Sequence, residues 1–156
     1  MARFKLLLMV LLAAIFTASF GLAGEKSFKA KLTGKEEIPA VNTKAKGEAE
    51  FKLDKESMEL RYELKVKDIE NVTAAHIHKG KMGKSGPPVA NLFTGPKKVG
   101  KFSGDLAEGR IVAGDLTSDL QGKTVNDLIN LIKSGDAYVN VHTEKYPNGE
   151  IRGQIK

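Results

Sequence analysis

The 156-residue sequence contains no cysteine and no tryptophan, and aromatic residues make up only 6% of it. Without cysteine the chain has no disulfide scaffold, no thiolate nucleophile and no thiolate metal site. Its stability must therefore come from a hydrophobic core. The net charge is +6, but the lysines alternate with acids, as in "KGEAEFKLDKESMELRYELKVKD". Such a pattern, with so few aromatics, argues against nucleic-acid binding.

Common catalytic motifs are also missing. The sequence has no Gly-x-Ser-x-Gly elbow, no phosphate-binding glycine loop and no carboxylate pair at a useful spacing. Residues Asp105, Asp115, Asp119 and Asp136 fall at predicted strand ends and turns, where aspartate favours local backbone hydrogen bonds. These absences favour a binding module over an enzyme.

The N-terminus has the pattern of a secretory signal peptide. Arg3 and Lys5 precede the apolar run 6–16, and small residues follow in "SFGLAG". We predict a signal peptide over 1–23, with cleavage after Ala23, or alternatively after Gly24. An uncleaved membrane anchor is the other interpretation, because 4–23 is nearly long enough to span a bilayer. Cleavage would leave one domain over 24–156, secreted or periplasmic and free of the membrane.

Most of this domain alternates apolar and polar residues with a period of two, which is typical of half-buried antiparallel strands. The pattern predicts strands over about 28–32, 45–53, 60–66, 72–78, 89–93, 101–106, 110–116, 137–142 and 151–155. "DKES" predicts a hairpin between the second and third strands, and "KGKMGKSGPP" and "LAEG" predict turns. The fold class is therefore all-β, a sandwich or small barrel.

One segment breaks this period and predicts a short helix near 124–134. Leu128, Ile129 and Ile132 form a helical stripe in "KTVNDLINLIKSG". Thr124 and Asp127 have the spacing of a capping box, and Gly135 is placed to end the helix.

The three histidines are the best candidates for chemistry. His76 and His78 are two residues apart on a predicted strand, so they point to the same face. His142 lies on a later strand and completes a three-nitrogen metal site if the two strands are neighbours. Imidazoles suit transition metals, here copper or zinc. Met82 is a candidate soft ligand for copper, but a loop methionine more often serves packing. Alternatively, each histidine only binds loop or hairpin backbone.

The C-terminal hairpin predicts a polar cluster. Pro147, Asn148 and Gly149 favour a tight reversal, after which Glu150 and Arg152 share one face of the returning strand. That face can lie against Asn140, and Arg152 would clamp carbonyls or a carboxylate. The cluster thus comprises Asn140, Arg152 and Glu150. Separately, "NVT" at Asn71 is a glycosylation sequon if the host glycosylates exported proteins.

The sequence resembles the CHRD domain family, the module repeated in chordin and found singly in exported bacterial proteins. The resemblance rests on "LTGKEEIPAVNTKAKGEAEFKL", "AHIHKGKMGKSGPPVANLF", "GDLTSDLQGKTVNDLINLIKSGDAYVNVHT" and "PNGEIRGQI". It implies an immunoglobulin-like sandwich or barrel but little about activity. Taken with the signal-peptide pattern and the missing catalytic motifs, it predicts a non-enzymatic binding module whose partner is a protein or glycan of the envelope or extracellular space. It does not imply growth-factor binding, since chordin's cysteine-rich modules are missing.

A fainter similarity is to copper-zinc superoxide dismutase, which also places a His-x-His pair and a later histidine on a β-sandwich. The alternative function is thus a copper- or zinc-dependent envelope enzyme with a dismutase-like site. The sequence lacks the further histidines and the cysteines of that enzyme, which argues against full dismutase activity.

Overall fold

A computed structural model describes residues 26–156, so the predicted signal peptide lies outside the described residues. This part of the chain forms seven strands and one α-helix, together with three short 3-10 turns. The strands are β1 (Lys26–Thr33), β2 (Lys46–Asp54), β3 (Glu59–Lys79), β4 (Pro88–Phe93), β5 (Lys98–Ile111), β6 (Ala137–Thr143) and β7 (Ile151–Gln154), with the helix α1 (Val125–Lys133) before β6. None of the helices in residues 26–156 has the length and apolarity needed to span a membrane.

Five of the strands close into an antiparallel barrel. Their order is β2-β1-β7-β6-β3, and β3 pairs back to β2 to complete the circle. β4 and β5 also pair with β3, β5 along residues 60–72 and β4 along residues 75–78. The all-β class, the barrel and the hairpin between β2 and β3 are confirmed. The described strands are all hydrogen-bonded into one sheet, and the immunoglobulin-like sandwich arrangement stays a prediction.

Two predicted breaks between strands are wrong. The segments 60–66 and 72–78 belong to the single long strand β3, which continues through Asp68 and Asn71. Both of these residues have positive φ, 53° and 51°, so the strand bends with shifts of register but does not end. Likewise "LAEG" is not a turn but the last part of β5, while the predicted strand 110–116 ends at Ile111 and continues into a 3-10 turn.

The predicted helix and its capping are confirmed. The Asp127 backbone N–H donates to the Thr124 hydroxyl, and the Asp127 carboxylate accepts from the Thr124 backbone. Gly135 has a φ of 74°, the left-handed conformation that ends many helices. Because its apolar stripe is buried, α1 joins the common core. The largest fully buried side chains are Phe51, Leu32, Leu60, Leu64, Ile69, Ile77, Ile111, Leu128, Ile129, Ile132, Ile151 and Ile155.

A polar layer lies on the other face of β3, β6 and β7. On β6, Ala137, Val139 and Val141 contribute to the core, while Tyr138 and Asn140 alternate with them yet are equally buried. Hydrogen bonds to residues 37, 80, 84 and 86 show that loops contact this second face. The candidate site is built from this layer.

Candidate metal centre

The structure brings the three histidines together at the pairing of β3 with β6. His76 and His78 project from the same face of β3, and His142 lies on β6 opposite Ala74, two residues from His76. One nitrogen from each ring lies within 4.8 Å of the others. The ring centroids are 4.9 to 6.1 Å apart. The predicted three-histidine cluster is therefore present.

Backbone carbonyls fix the tautomers of two of these rings. His78 Nδ1 lies 2.9 Å from the Gly86 carbonyl, and His142 Nδ1 lies 2.9 Å from the Pro147 carbonyl. A carbonyl only accepts hydrogen bonds, so each ring donates from Nδ1 and, when neutral, keeps a lone pair on Nε2. Both contacts are the backbone bonds that the alternative interpretation of the sequence expects. They also leave both Nε2 atoms available as ligands.

The free nitrogens point into the cluster. His142 Nε2 lies 3.1 Å from His76 Nδ1, and with the His142 tautomer fixed, His76 is the donor in this contact. The Nε2 of His78 is buried and has no hydrogen-bond partner in the described part of the chain. A buried polar atom without a partner is costly, so its persistence calls for a specific role.

The cluster favours neutral imidazoles. Burial, together with the smaller effects of the nearby His142 and His78, lowers the pKa of His76 to about 4. Burial also lowers the pKa values of His78 and His142, against an opposing effect of their bonds to the Gly86 and Pro147 carbonyls. Neutral imidazole is the form that binds metal, so the rings do not have to lose a proton first at pH 7.

Three imidazole nitrogens fit a transition-metal ion of intermediate softness, such as zinc or copper. Three imidazole nitrogens are the protein ligands of one class of catalytic zinc site, and imidazole also suits copper. Zinc–nitrogen distances of about 2.0–2.1 Å require donor separations of a little over 3 Å. The 3.1 Å between His76 Nδ1 and His142 Nε2 already meets this value, and His76 binds through Nδ1 once its proton moves to Nε2. The candidate nitrogens of all three rings lie within 4.8 Å of one another.

A family model for the CHRD domain matches residues 28–155 of the chain. This match spans most of the sequence and all the strands of the barrel. The chain belongs to the CHRD domain family.

Among curated proteins, the CHRD domain described here is 30% identical to "Chordin" of Xenopus laevis over 132 residues. The aligned region is 80% of this chain but 12% of that protein, so the chain spans only a small part of its relative. No solved structure matches the chain.

The polar residues predicted to cluster in this CHRD domain fall into two groups. Asn140 and Arg152 are directly paired between β6 and β7, and each is 3% exposed. Glu150 belongs to the second group: its carboxylate accepts from the hydroxyls of Thr43 at 2.6 Å and Thr143 at 2.8 Å. Arg152 donates to the Lys84 carbonyl, in line with the expected carbonyl clamp.

Glu37 is a site residue that sequence reasoning missed. Its carboxylate accepts from Asn140 Nδ2 at 2.5 Å and is only 7% exposed. Burial raises the pKa of Glu37 to about 7, although the charge of Arg152 acts in the opposite direction. In "GKEEIPA" nothing distinguishes Glu37 from the exposed Glu36, so no sequence signal marked it.

Two further candidates lie elsewhere. Met82 is 60% exposed and lines a surface cavity of about 360 Å³ with Lys29, Lys31 and Gln154. Asn71 of the sequon accepts a hydrogen bond from the Gly100 backbone N–H through its side-chain oxygen, at 2.8 Å. Its side chain therefore already has a structural contact at the bend of β3.

Proposed function

We propose that this CHRD domain is an exported, non-enzymatic binding module that holds one copper or zinc ion on His76, His78 and His142. The observation that carries the proposal is the buried Nε2 of His78. It has no partner in the described structure, while Nδ1 of the same ring donates to the Gly86 carbonyl. Histidines that bind metal commonly donate their other ring N–H to a backbone carbonyl in this way.

Membership of the CHRD family supports a role in binding or interaction. We infer that the domain acts in the periplasm or outside the cell, where it meets a protein or glycan partner. The signal-peptide pattern of residues 1–23 and the lack of cysteine-based chemistry are compatible with this location. The immunoglobulin-like arrangement belongs to the same proposal and rests on the family resemblance.

Metal titration by calorimetry tests the metal site. The purified protein, produced from the full-length chain, should bind about one copper or zinc ion per chain. His76→Ala, His78→Ala and His142→Ala should each weaken binding by about tenfold or more, because each removes one of three ligands. Glu108→Ala is the control: it removes an exposed carboxylate on β5, opposite Glu63. Equal affinity in the wild type and all three histidine variants would reduce the histidines to loop and hairpin contacts.

A metal-dependent enzyme is the second candidate, favoured by the number of ligands. Three imidazoles leave a coordination position for water or substrate, as in catalytic zinc sites. A superoxide dismutation assay of the copper-loaded protein separates the two functions. We expect no more turnover than for the same copper concentration with the His142→Ala variant. Turnover that requires all three histidines would favour the enzyme.

A further inference from the structure

Beside the histidine cluster, Tyr138 lies between His78 and Arg152. The rings of His78 and Tyr138 are stacked, with centroids 4.9 Å apart and 13° between their planes. The guanidinium carbon of Arg152 lies 3.4 Å from the centroid of the Tyr138 ring. β3 and β7 flank β6 on opposite sides, so His78 and Arg152 approach Tyr138 from opposite neighbouring strands. The Tyr138 ring therefore contacts both the imidazole of His78 and the guanidinium of Arg152.

The hydroxyl of Tyr138 reaches the loop that orients His78. The Gly86 backbone N–H donates to this hydroxyl at 3.2 Å, and the hydroxyl lies 3.4 Å from the Gly86 carbonyl. The same carbonyl accepts from His78 Nδ1 at 2.9 Å. Tyr138 thus holds the backbone of Gly86, whose carbonyl in turn holds the histidine ring.

Side chains of β7 hold the rest of the loop 79–86. Arg152 donates to the Lys84 carbonyl, and Gln154 Nε2 donates to the Gly80 carbonyl at 2.9 Å. A Cβ atom on Gly86 would lie 1.8 Å from the Lys79 carbonyl oxygen, so only glycine fits at this close approach. The sequence "KGKMGKSG" is therefore a loop fixed at both ends and in the middle, and not a free connection.

We propose that Tyr138 is a positioning residue of the metal centre: through Gly86 it sets the Nδ1–H tautomer and the ring orientation of His78, so that Nε2 faces the ion. This inference rests on the proposed metal-binding function. Contacts one step outside the ligands commonly change metal affinity by about 10–100-fold when they are lost. Arg152 supports the same arrangement by contacting the Tyr138 ring and donating to the Lys84 carbonyl.

The test compares two Tyr→Phe variants by titration with copper. Tyr138→Phe removes the hydroxyl but keeps the ring stacked on His78. Tyr62→Phe is the matched control, because its hydroxyl also donates to a backbone carbonyl, that of Leu92 at 2.8 Å, on another part of β3. We expect copper affinity about 10–100-fold weaker in Tyr138→Phe and within about twofold of wild type in Tyr62→Phe. The copper electron paramagnetic resonance spectrum should change only in Tyr138→Phe, a result that a general loss of stability would not give.

Unchanged affinity and spectrum in a folded Tyr138→Phe would overturn the positioning role while leaving the metal site intact. If the wild type itself binds no copper, the proposed function fails and the inference fails with it. A measurement on the wild type covers the case in which Tyr138→Phe does not fold. Nitrogen-15 spectra of the metal-free protein should show the Nδ1–H tautomer for His78, and the Nε2–H tautomer would refute the proposal.

Discussion

His76 Nδ1 and His142 Nε2 lie 3.1 Å apart although 66 positions of sequence separate the two residues. The pairing of β3 with β6 produces this contact, since Ala74 lies opposite His142 and Asn140 lies opposite His76. The arrangement is built on strands, and the loops contribute only the carbonyls that orient the rings. If the proposed metal site is correct, we expect a site held by the sheet in this way to be close to its ion-bound geometry before the ion arrives.

Metal binding should stabilise the fold. An ion that binds only the native state adds about 2.7 kcal/mol to the free energy of unfolding at a concentration one hundred times its Kd. We expect zinc to raise the midpoint of thermal unfolding of the wild type, and a chelator to reverse the increase. His142→Ala binds at least about tenfold more weakly, so at the same zinc concentration it should gain at most about half of this free energy. A similar increase in His142→Ala would place the stabilising ion elsewhere.

Acid should weaken the metal-free fold through His76. Its pKa is about 4 in the folded chain and near 6.5 when unfolded, so between these values the unfolded state binds more protons. The stability that the neutral ring provides is complete above about pH 6.5 and is lost as the pH falls towards 4. Denaturant titrations in chelator should therefore show the stability of wild type relative to His76→Asn falling across this window. A difference that does not vary with pH would contradict the burial of His76 in a neutral state.

Glu37 should lower the stability of the fold as the pH rises, which is opposite to the effect of His76. Its pKa is raised to about 7, so between about 4.5 and 7 the folded state holds the proton more tightly, and this residue's contribution to stability falls as the pH rises. Glu37→Gln keeps an oxygen acceptor for Asn140 and removes the charge. We expect the variant to equal wild type near pH 4.5 and to exceed it at pH 8 by on the order of 1–3 kcal/mol.

The matched control for this prediction is Glu36→Gln, which changes an exposed neighbour. Its stability should follow that of the wild type at every pH. A Glu37→Gln variant less stable than wild type at pH 8 would show that the Glu37 carboxylate is charged and stabilised by Arg152. Free energies of unfolding, measured in urea at pH 4.5, 6 and 8, decide whether the Glu37 charge destabilises or stabilises the fold.

Local patterns predict local features of this chain well. The i, i+2 spacing places His76 and His78 on one face, and the Thr124–Asp127 spacing defines the helix start. The location of His142 beside them depends on strand pairing between distant segments, and an apolar-polar pattern gives no register for it. The bend in β3 was also missed, because Asp68 and Asn71 are typical turn residues yet here hold positive φ inside a continuing strand. The position of Glu37 follows only from how its loop packs on β6.

Gly153 should be essential for closing the barrel. β7 is short and pairs with β1 at Thr33 and Arg152 alone, so the two strands must approach closely at this point. A Cβ atom on Gly153 would lie 2.1 Å from the Lys31 carbonyl oxygen and 2.7 Å from its carbon, both on the backbone of β1. Glycine inside a strand often marks such an approach.

We therefore expect Gly153→Ala to lower the free energy of unfolding by about 1–3 kcal/mol, the usual cost of forcing extra volume into a packed interior. Gly114→Ala is the control, since its added Cβ has no neighbour within 4 Å and its φ is not positive. That variant should stay within about 0.5 kcal/mol of wild type. Because Arg152 precedes Gly153, separation of β7 from β1 should also disturb the Lys84 contact and weaken copper binding. If Gly153→Ala were as stable as the wild type, β1 could move away from β7 without opening the barrel.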